Sequence, residues 1–372
     1  MTALLVVLIA FLLVFIIFQA SKASDLLSAI RGEDKEEESG YQLNAVLMMA
    51  TLIIGFAAIG WSVWYYLDRF LPVSASEHGV GIDSMFNVTL FFTGIVFVGT
   101  QIVLFWFTWK YRYKTGRKVF YFPHNNALEA AWTIIPAIVM VYLVVVGLQN
   151  WYKIFDEPPA DARIIEMTAQ QFQWTCRYSG EDNQLGEKDW KWINHEKYED
   201  AGNSIGVDFD DPASKDDFFA TEIHMEVNKP VVFKLGSKDV LHSFFLPHFR
   251  VKMDCVPGIP TQFAFTPTIT TDSMRIIEED PAFEYELACA ELCGSSHYRM
   301  RMKVVVETKE EYEKWLKEQK SYYETVVAPA WGIKIEDEEV NNVAEENPES
   351  FQDEKSKMVS SIENQNLLNY GN

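Results

Sequence analysis

Residues 289–300 read CAELCGSSHYRM: Cys289 and Cys293 stand four apart, His297 four further on, and Met300 three beyond that. Thiols, an imidazole and a thioether form a soft donor set of the kind that favours Cu(I), and imidazole suits copper as well. A mononuclear blue-copper site uses one Cys, two His and a weak axial Met. A second Cys lets two thiolates bridge a pair of ions, which raises the expected nuclearity from one to two. The second histidine must then come from elsewhere. His242, in KDVLHSFFLPHF, is the best placed, because it follows a strand-like run and precedes a proline turn. His248, in the same stretch, reads as a turn histidine. Two other chemistries use the same side chains. A Cys289–Cys293 disulfide, with Cys176 and Cys255 as the remaining pair, suits an exported domain. Tetrahedral zinc on Cys289, Cys293, His297 and His242 fits by ligand count. No CxxCH occurs in the chain, so covalent c-type haem has no attachment motif.

The elements that must position these ligands divide into two unlike parts. The chain has 372 residues and a formal net charge of −21, but the long apolar runs lie in the first 150 residues and most of the acid follows. Length suggests about two domains, and the acidic balance argues against a nucleic-acid partner. Apolar runs at residues 3–20, 44–65, 85–109 and 132–151 are each close to the roughly 20 residues needed to cross a bilayer. Trp and Tyr cluster at the ends of the later three, as interfacial anchors do. The first run reads as an uncleaved helix, since no Lys or Arg precedes it; a signal peptide processed at Ser21-Lys22-Ala23 is the alternative. Lys110, Arg112, Lys114, Arg117 and Lys118 follow the third run, and Lys22, Arg31 and Lys35 follow the first. The positive-inside rule therefore places those loops in the cytoplasm and everything after the fourth run outside.

From about Arg163 the pattern changes to short runs rich in β-branched and aromatic residues. IIEMTAQQFQW, EIHMEVNKPVVFKLGS, QFAFTP, FEYELACA and MRMKVVVE predict the strands of an antiparallel sandwich. The polar stretch at about 180–218 reads as a long surface excursion on it. EEYEKWLKEQKSYYETVV (310–327) has helical periodicity and predicts one helix lying on the domain. The Glu-, Asn- and Ser-rich tail from about Lys334 reads as flexible. The expected division is a first helix and acidic loop at 1–43, three membrane helices at 44–155, a sandwich at 160–308, and a helix with acidic tail at 309–372.

Taken together, these motifs resemble subunit II of haem–copper cytochrome c oxidases. CAELCGSSHYRM matches the family's dinuclear copper (CuA) loop. SKDVLHSFFLP with FRVKMDCVPG matches the segment carrying its first copper histidine, and LEAAWTIIPAI matches the start of its second membrane helix. The resemblance covers about residues 85–315 without the insert. It implies a cupredoxin-like Greek-key sandwich on a membrane anchor, here of four transmembrane helices. Cys289 and Cys293 would bridge two coppers, and His242 and His297 would each bind one. Met300 and the Glu291 carbonyl would be weak outer ligands, and the Glu291 side chain would reach a magnesium ion at the boundary with subunit I. Glu129 matches a carboxylate at the mouth of a proton channel, although a Glu at a helix start is also simply a favourable end charge. Asp254 matches an acid near the magnesium and water route.

The implied activity is to take electrons from a cytochrome c and pass them to haem in subunit I, where oxygen is reduced and protons are pumped. Subunits I and III, membrane lipid and the cytochrome are the implied partners, and the implied location is a bacterial cytoplasmic membrane. The sequence departs from the family at QFQW, where Phe172 replaces the Trp that usually receives the electron and Trp174 matches the second Trp. A quinol-oxidising subunit II would lack the copper ligands. A copper-delivery protein would have no need of Glu291, Met300 or LEAAWTIIPAI.

Overall fold

The computed structural model describes residues 11–23, 26 and 33–333. Three helices are long and apolar enough to cross a membrane: α2 (Glu33–Tyr66), α3 (Glu77–Lys110) and α4 (Asn126–Ile154). A shorter apolar helix, α1 (Phe11–Ala23), belongs to the first predicted run, whose residues 3–10 lie outside the described residues. The described residues thus hold three full-length spans where four were expected. The three long helices turn their apolar side chains outward, with none of the most hydrophobic window buried, as a lipid-facing surface requires.

Both α3 and α4 begin earlier than hydropathy alone predicts, because capped polar turns precede the apolar runs. The Ser76 hydroxyl accepts from Gly79 N at 3.2 Å, and Asn125 Oδ1 accepts from Leu128 N at 3.1 Å. Each cap satisfies one of the amide donors that a helix start leaves without a partner.

After α4 the chain builds two five-stranded sheets. The first contains β1 (Arg163–Gln170), β2 (Gln173–Tyr178), β3 (Phe218–Ala220), β5 (Val231–Ser237) and β8 (Thr261–Phe265), in the order β3-β2-β1-β5-β8. The second contains β4 (Ile223–Glu226), β6 (His242–Leu246), β7 (Val251–Cys255), β9 (Tyr285–Cys289) and β10 (Arg301–Glu307), in the order β4-β10-β9-β6-β7. Alternate residues such as Ile165, Met167, Phe233, Leu235, Phe244, Leu246, Leu287 and Val304 point inward and fill one core, as period-two side-chain direction dictates. The expectation of a wholly antiparallel sandwich needs one correction: β1–β5 and β4–β10 are parallel, because long crossovers separate those strands in sequence.

Two further expectations change. The excursion at 180–218 has its own small core, in which Tyr198, Ile205, Val207 and Phe209 are buried with Val327. Tyr322, Tyr323 and Trp331 pack against that core, so the C-terminal segment closes the insert. The single helix predicted at 310–327 is instead α6 (Lys309–Glu318), started by a Thr308–Glu311 capping box and broken at Gln319, followed by a wider helical turn at Tyr323–Val327. A short helix, α5 (Thr271–Ile277), was not expected. The tail from Lys334 lies outside the described residues.

Candidate metal centre

The cysteine loop is shaped by three neighbouring strands. Phe244 of β6 faces Cys289 across the ladder, and Ala290 N donates to Ser243 O at 3.0 Å. This sets the end of β9 beside the start of β6, and therefore Cys289 beside His242. The loop then returns through a helical turn at His297–Arg299, and Cys289 N donates to Met300 O at 3.1 Å, closing it. Gly294 takes φ +143°, open to glycine alone without strain, and a Cβ there would stand 2.9 Å from the Phe172 ring and from Gln171 Nε2.

The closed loop draws the predicted ligands into one cluster. Cys289 Sγ and Cys293 Sγ are 4.0 Å apart, twice a disulfide bond length of about 2.05 Å. His242 Nδ1 lies 3.7 Å from Cys289 Sγ, and His297 Nδ1 lies 3.6 Å from Cys293 Sγ. Glu291 O approaches Cys289 Sγ at 3.2 Å, and Met300 Sδ lies 3.9 Å from Cys293 Sγ. All four cysteines of the chain are free, so neither disulfide considered above is formed. His242, Cys293 and Met300 are buried, and Cys289 is nearly so.

Sequence reading missed three supporting residues. Asp239 Oδ1 holds His242 Nε2 at 2.9 Å, so the ring's other nitrogen is the one turned toward the sulfurs. A carboxylate on the far nitrogen of an imidazole is the usual orienting partner of a metal-binding histidine. Gln171 N in turn donates to Asp239 Oδ2 at 2.7 Å, and the Gln171 side-chain amide donates to Cys293 O. Burial raises the Asp239 carboxyl, but the amides of Gln171 and Val240 and the His242 ring outweigh it and hold it below the ordinary carboxylate value. Asp239, three residues before His242, was legible as a helper for that ring; Gln171 and Gly294 become legible only once the loop is folded. Burial, with Cys289 alongside, pushes the Cys293 thiol up to about 11. A bound cation would favour the thiolate form of Cys293.

The other predicted site residues fall in different places. Trp174 is buried against the cluster, its ring centroid 6.3 Å from that of His242, and its Nε1 donates to Met300 O at 3.4 Å. Phe172 is half-buried and packs on Gly294, at the outer side of the cysteine loop. The side chain of Glu291 is exposed, as is Asp254 on β7. Glu129 sits in the first turn of α4, Oε1 accepting from Asn125 N at 3.4 Å, and is remote from the cysteines at the other end of that helix. His248 packs between Phe283 and Tyr285, outside the cluster.

Sequence comparison gives this cluster its setting. A family described as the cytochrome c oxidase subunit II transmembrane domain matches residues 62–149, and its periplasmic-domain counterpart matches residues 164–309. The chain is 34% identical over 277 residues to the alternative cytochrome c oxidase subunit 2 of Bradyrhizobium diazoefficiens, covering 74% of this chain and 93% of that protein. The chain belongs to the cytochrome c oxidase subunit II family. Within the family, it is 28% identical over 303 residues to the cytochrome c oxidase subunit 2 of Thermostichus vulcanus, covering 75% of this chain and 88% of that one. The crystal structure of the periplasmic domain of subunit II of cytochrome oxidase from Bradyrhizobium japonicum is 24% identical, covers 43% of this chain and 95% of that domain, and gives a TM-score of 0.28. As a family member the chain is a subunit of an oxidoreductase, with a membrane anchor and a β-sandwich periplasmic domain.

The family implies a dinuclear copper centre, and the donor set fits one. His242, Cys289 and Cys293 present ligand atoms all within 4.8 Å of one another. His297 adds a second imidazole to the opposite cysteine, and the buried Met300 adds a thioether. Soft sulfur with imidazole is the combination that copper prefers.

Proposed function

We propose that this subunit receives electrons from a cytochrome c, or from a cytochrome c domain, at a dinuclear copper centre and passes them to haem in subunit I, where oxygen is reduced to water and protons are pumped. Cys289 and Cys293 would bridge the two ions, His242 and His297 would bind one each, and Met300 and the Glu291 carbonyl would be weaker ligands. The observation that carries this reading is the pair of unbonded sulfurs at 4.0 Å, each faced by the Nδ1 of a different histidine. A copper pair held by these residues would supply one-electron transfer with little change in its surroundings.

The chain's own residues would keep the centre rigid and dry. Asp239 fixes the His242 ring, Gln171 fixes both Asp239 and the Cys293 carbonyl, and Trp174 holds the Met300 carbonyl while covering the centre. Such packed support limits rearrangement when charge arrives. Phe172, at the outer side of the loop, is the proposed contact for the incoming electron in place of the family's Trp, with Trp174 behind it. The exposed Glu291 carboxylate would bind magnesium at the boundary with subunit I. Glu129, at the start of α4, would stand at the mouth of a proton channel. Four spans in a bacterial cytoplasmic membrane, with the N-terminus and the sandwich on the periplasmic side and subunit III and lipid as further neighbours, agree with the basic loop after α3. The acidic surface would attract a basic donor and make its association salt-dependent.

The test is made on the purified oxidase complex with Cys293→Ser. Oxidation of reduced cytochrome c and the consequent oxygen uptake should fall to background, while direct chemical reduction of the subunit I haem is retained. Oxygen uptake from cytochrome c at the wild-type rate would sink the reading.

A further inference from the structure

The sandwich is fastened to the membrane helices by a short segment and one charged clamp. Ahead of α3, Ala75 N donates to His248 O at 2.7 Å, Thr268 N to Ala75 O at 2.8 Å and Glu77 N to Thr266 O at 3.1 Å. Ser76, which caps α3, also donates its hydroxyl to Phe249 O at 2.7 Å. Over this junction lies Arg250, which closes the turn between β6 and β7. Its backbone is left-handed at φ +55°, a conformation that non-glycine residues adopt only against a steric cost. Its guanidinium donates through Nε to Asp83 Oδ1 at 2.8 Å and through Nη2 to Asp83 Oδ2 at 2.9 Å. Further bonds run to Pro247 O at 2.8 Å and Pro72 O at 2.6 Å. The Arg250 stem crosses α3 at Gly79, where a Cβ would stand 3.1 Å from Arg250 Cγ and collide with the Ser74 and Ser76 hydroxyls.

The pair is largely withdrawn from water, at 9% exposure for Arg250 and 25% for Asp83. A two-point fork to one carboxylate fixes direction as well as distance, which a lysine could not do. The β6–β7 hairpin has Leu246 and Val251 paired beside this turn and His242 and Cys255 paired at its other end. The ribbon that carries a copper histidine is therefore clamped to a membrane helix.

We propose that Asp83 and Arg250 are positioning residues for electron delivery, holding the copper hairpin at one setting on α3 and so fixing the separation between the metal centre and the membrane-embedded acceptor. This rests on the electron-relay reading above. Neither residue touches a copper ligand, so the pair should govern the outgoing transfer and leave the centre itself unchanged.

The experiment compares the wild-type oxidase complex with Asp83→Asn and Arg250→Gly, the glycine also relieving the left-handed backbone. Three quantities are read: the paramagnetic resonance signal of the copper centre, its rate of reduction by cytochrome c, and its rate of reoxidation by the subunit I haem. The first two should match wild type. The third should fall severalfold, because outgoing transfer depends on the separation that the clamp fixes. Arg250→Lys, which keeps the charge and loses the fork, should fall between. Wild-type reoxidation in both variants overturns the proposal. Absence of the copper signal from the wild-type complex would instead defeat the relay reading, before any variant is compared. If a variant loses copper, spin labels on α3 and β7 decide: a shifted or broadened distance distribution supports the clamp, and an unchanged one overturns it.

Discussion

Glu166, Arg177, Lys188 and Asp217 meet in one part of the sandwich; Cys289, Cys293, His242, His297 and Met300 meet in another. In the first cluster Arg177 bonds Glu166 at 2.8 Å, Asp217 at 3.0 Å and the Gly186 carbonyl at 3.1 Å, while Lys188 bonds Glu166 at 2.6 Å. Two cations answer two anions, and the network ties the insert to β1 and β2. In the second, two thiols, two imidazoles and a thioether converge, with one carboxylate, Asp239, behind the His242 ring. The first group is held by opposite charges; the second gathers soft donors of the kind a copper ion takes. A cluster of opposite charges ties elements together, whereas soft donors of one kind converging on a point mark a metal site.

The sharpest way to break this contrast is to remove one member of each cluster. Cys289→Ser or Cys293→Ser should abolish the dinuclear copper signal, read by metal count and resonance spectrum, with little change in the unfolding of the metal-free chain. Arg177→Met should do the opposite. It leaves Glu166 with Lys188 alone and Asp217 with no cation among the described residues, which costs about 3–5 kcal/mol of stability in urea unfolding, while the folded fraction still takes up copper. A Cys variant that unfolds, or an Arg177 variant that folds normally without copper, would reverse the assignment.

Gly294→Ala should have a smaller, mixed effect. Its Cβ meets the Phe172 ring and the Gln171 amide at 2.9 Å, so the loop must shift at a cost of about 1–3 kcal/mol. Copper titration should show weaker binding, and unchanged affinity would mean that the loop yields freely.

A pH-dependent effect concerns Asp217, whose carboxyl is pushed up to about 7 by burial, against the pull of Arg177. Because the folded value lies above the ordinary one near 3.8, the stability this group contributes is fully present below about 3.8. It is lost as pH rises through about 7. Wild type should therefore lose stability relative to Asp217→Asn between about pH 4 and pH 7, checked by urea midpoints; parallel curves would contradict it.

What could be read from sequence follows the same division. The cysteine loop was legible because four ligands of three types crowd into residues 289–300, and a β-loop of that length can bring all of them to one point. His242 was legible only through its strand-and-turn context. The membrane spans were legible as uniform apolar runs, but their starts were not, since Ser76 and Asn125 cap polar turns that hydropathy ignores. The ionic cluster was invisible because Glu166 and Arg177 become neighbours only through the β1–β2 register. The insert read as an excursion because Tyr198, Val207 and Phe209 follow no period, and residues such as Val327 and Trp331, more than 100 positions on, complete their core. The two parallel strand pairs were missed for the same reason: each depends on a crossover that local pattern does not encode.

The most direct measurement is a copper count on the full-length chain in detergent, together with its electron paramagnetic resonance spectrum. The predicted result is two coppers per chain sharing one unpaired electron equally. One copper with a mononuclear spectrum, or none with Cys289 and Cys293 joined as a disulfide, would contradict the assignment of the cluster as a dinuclear electron-accepting centre.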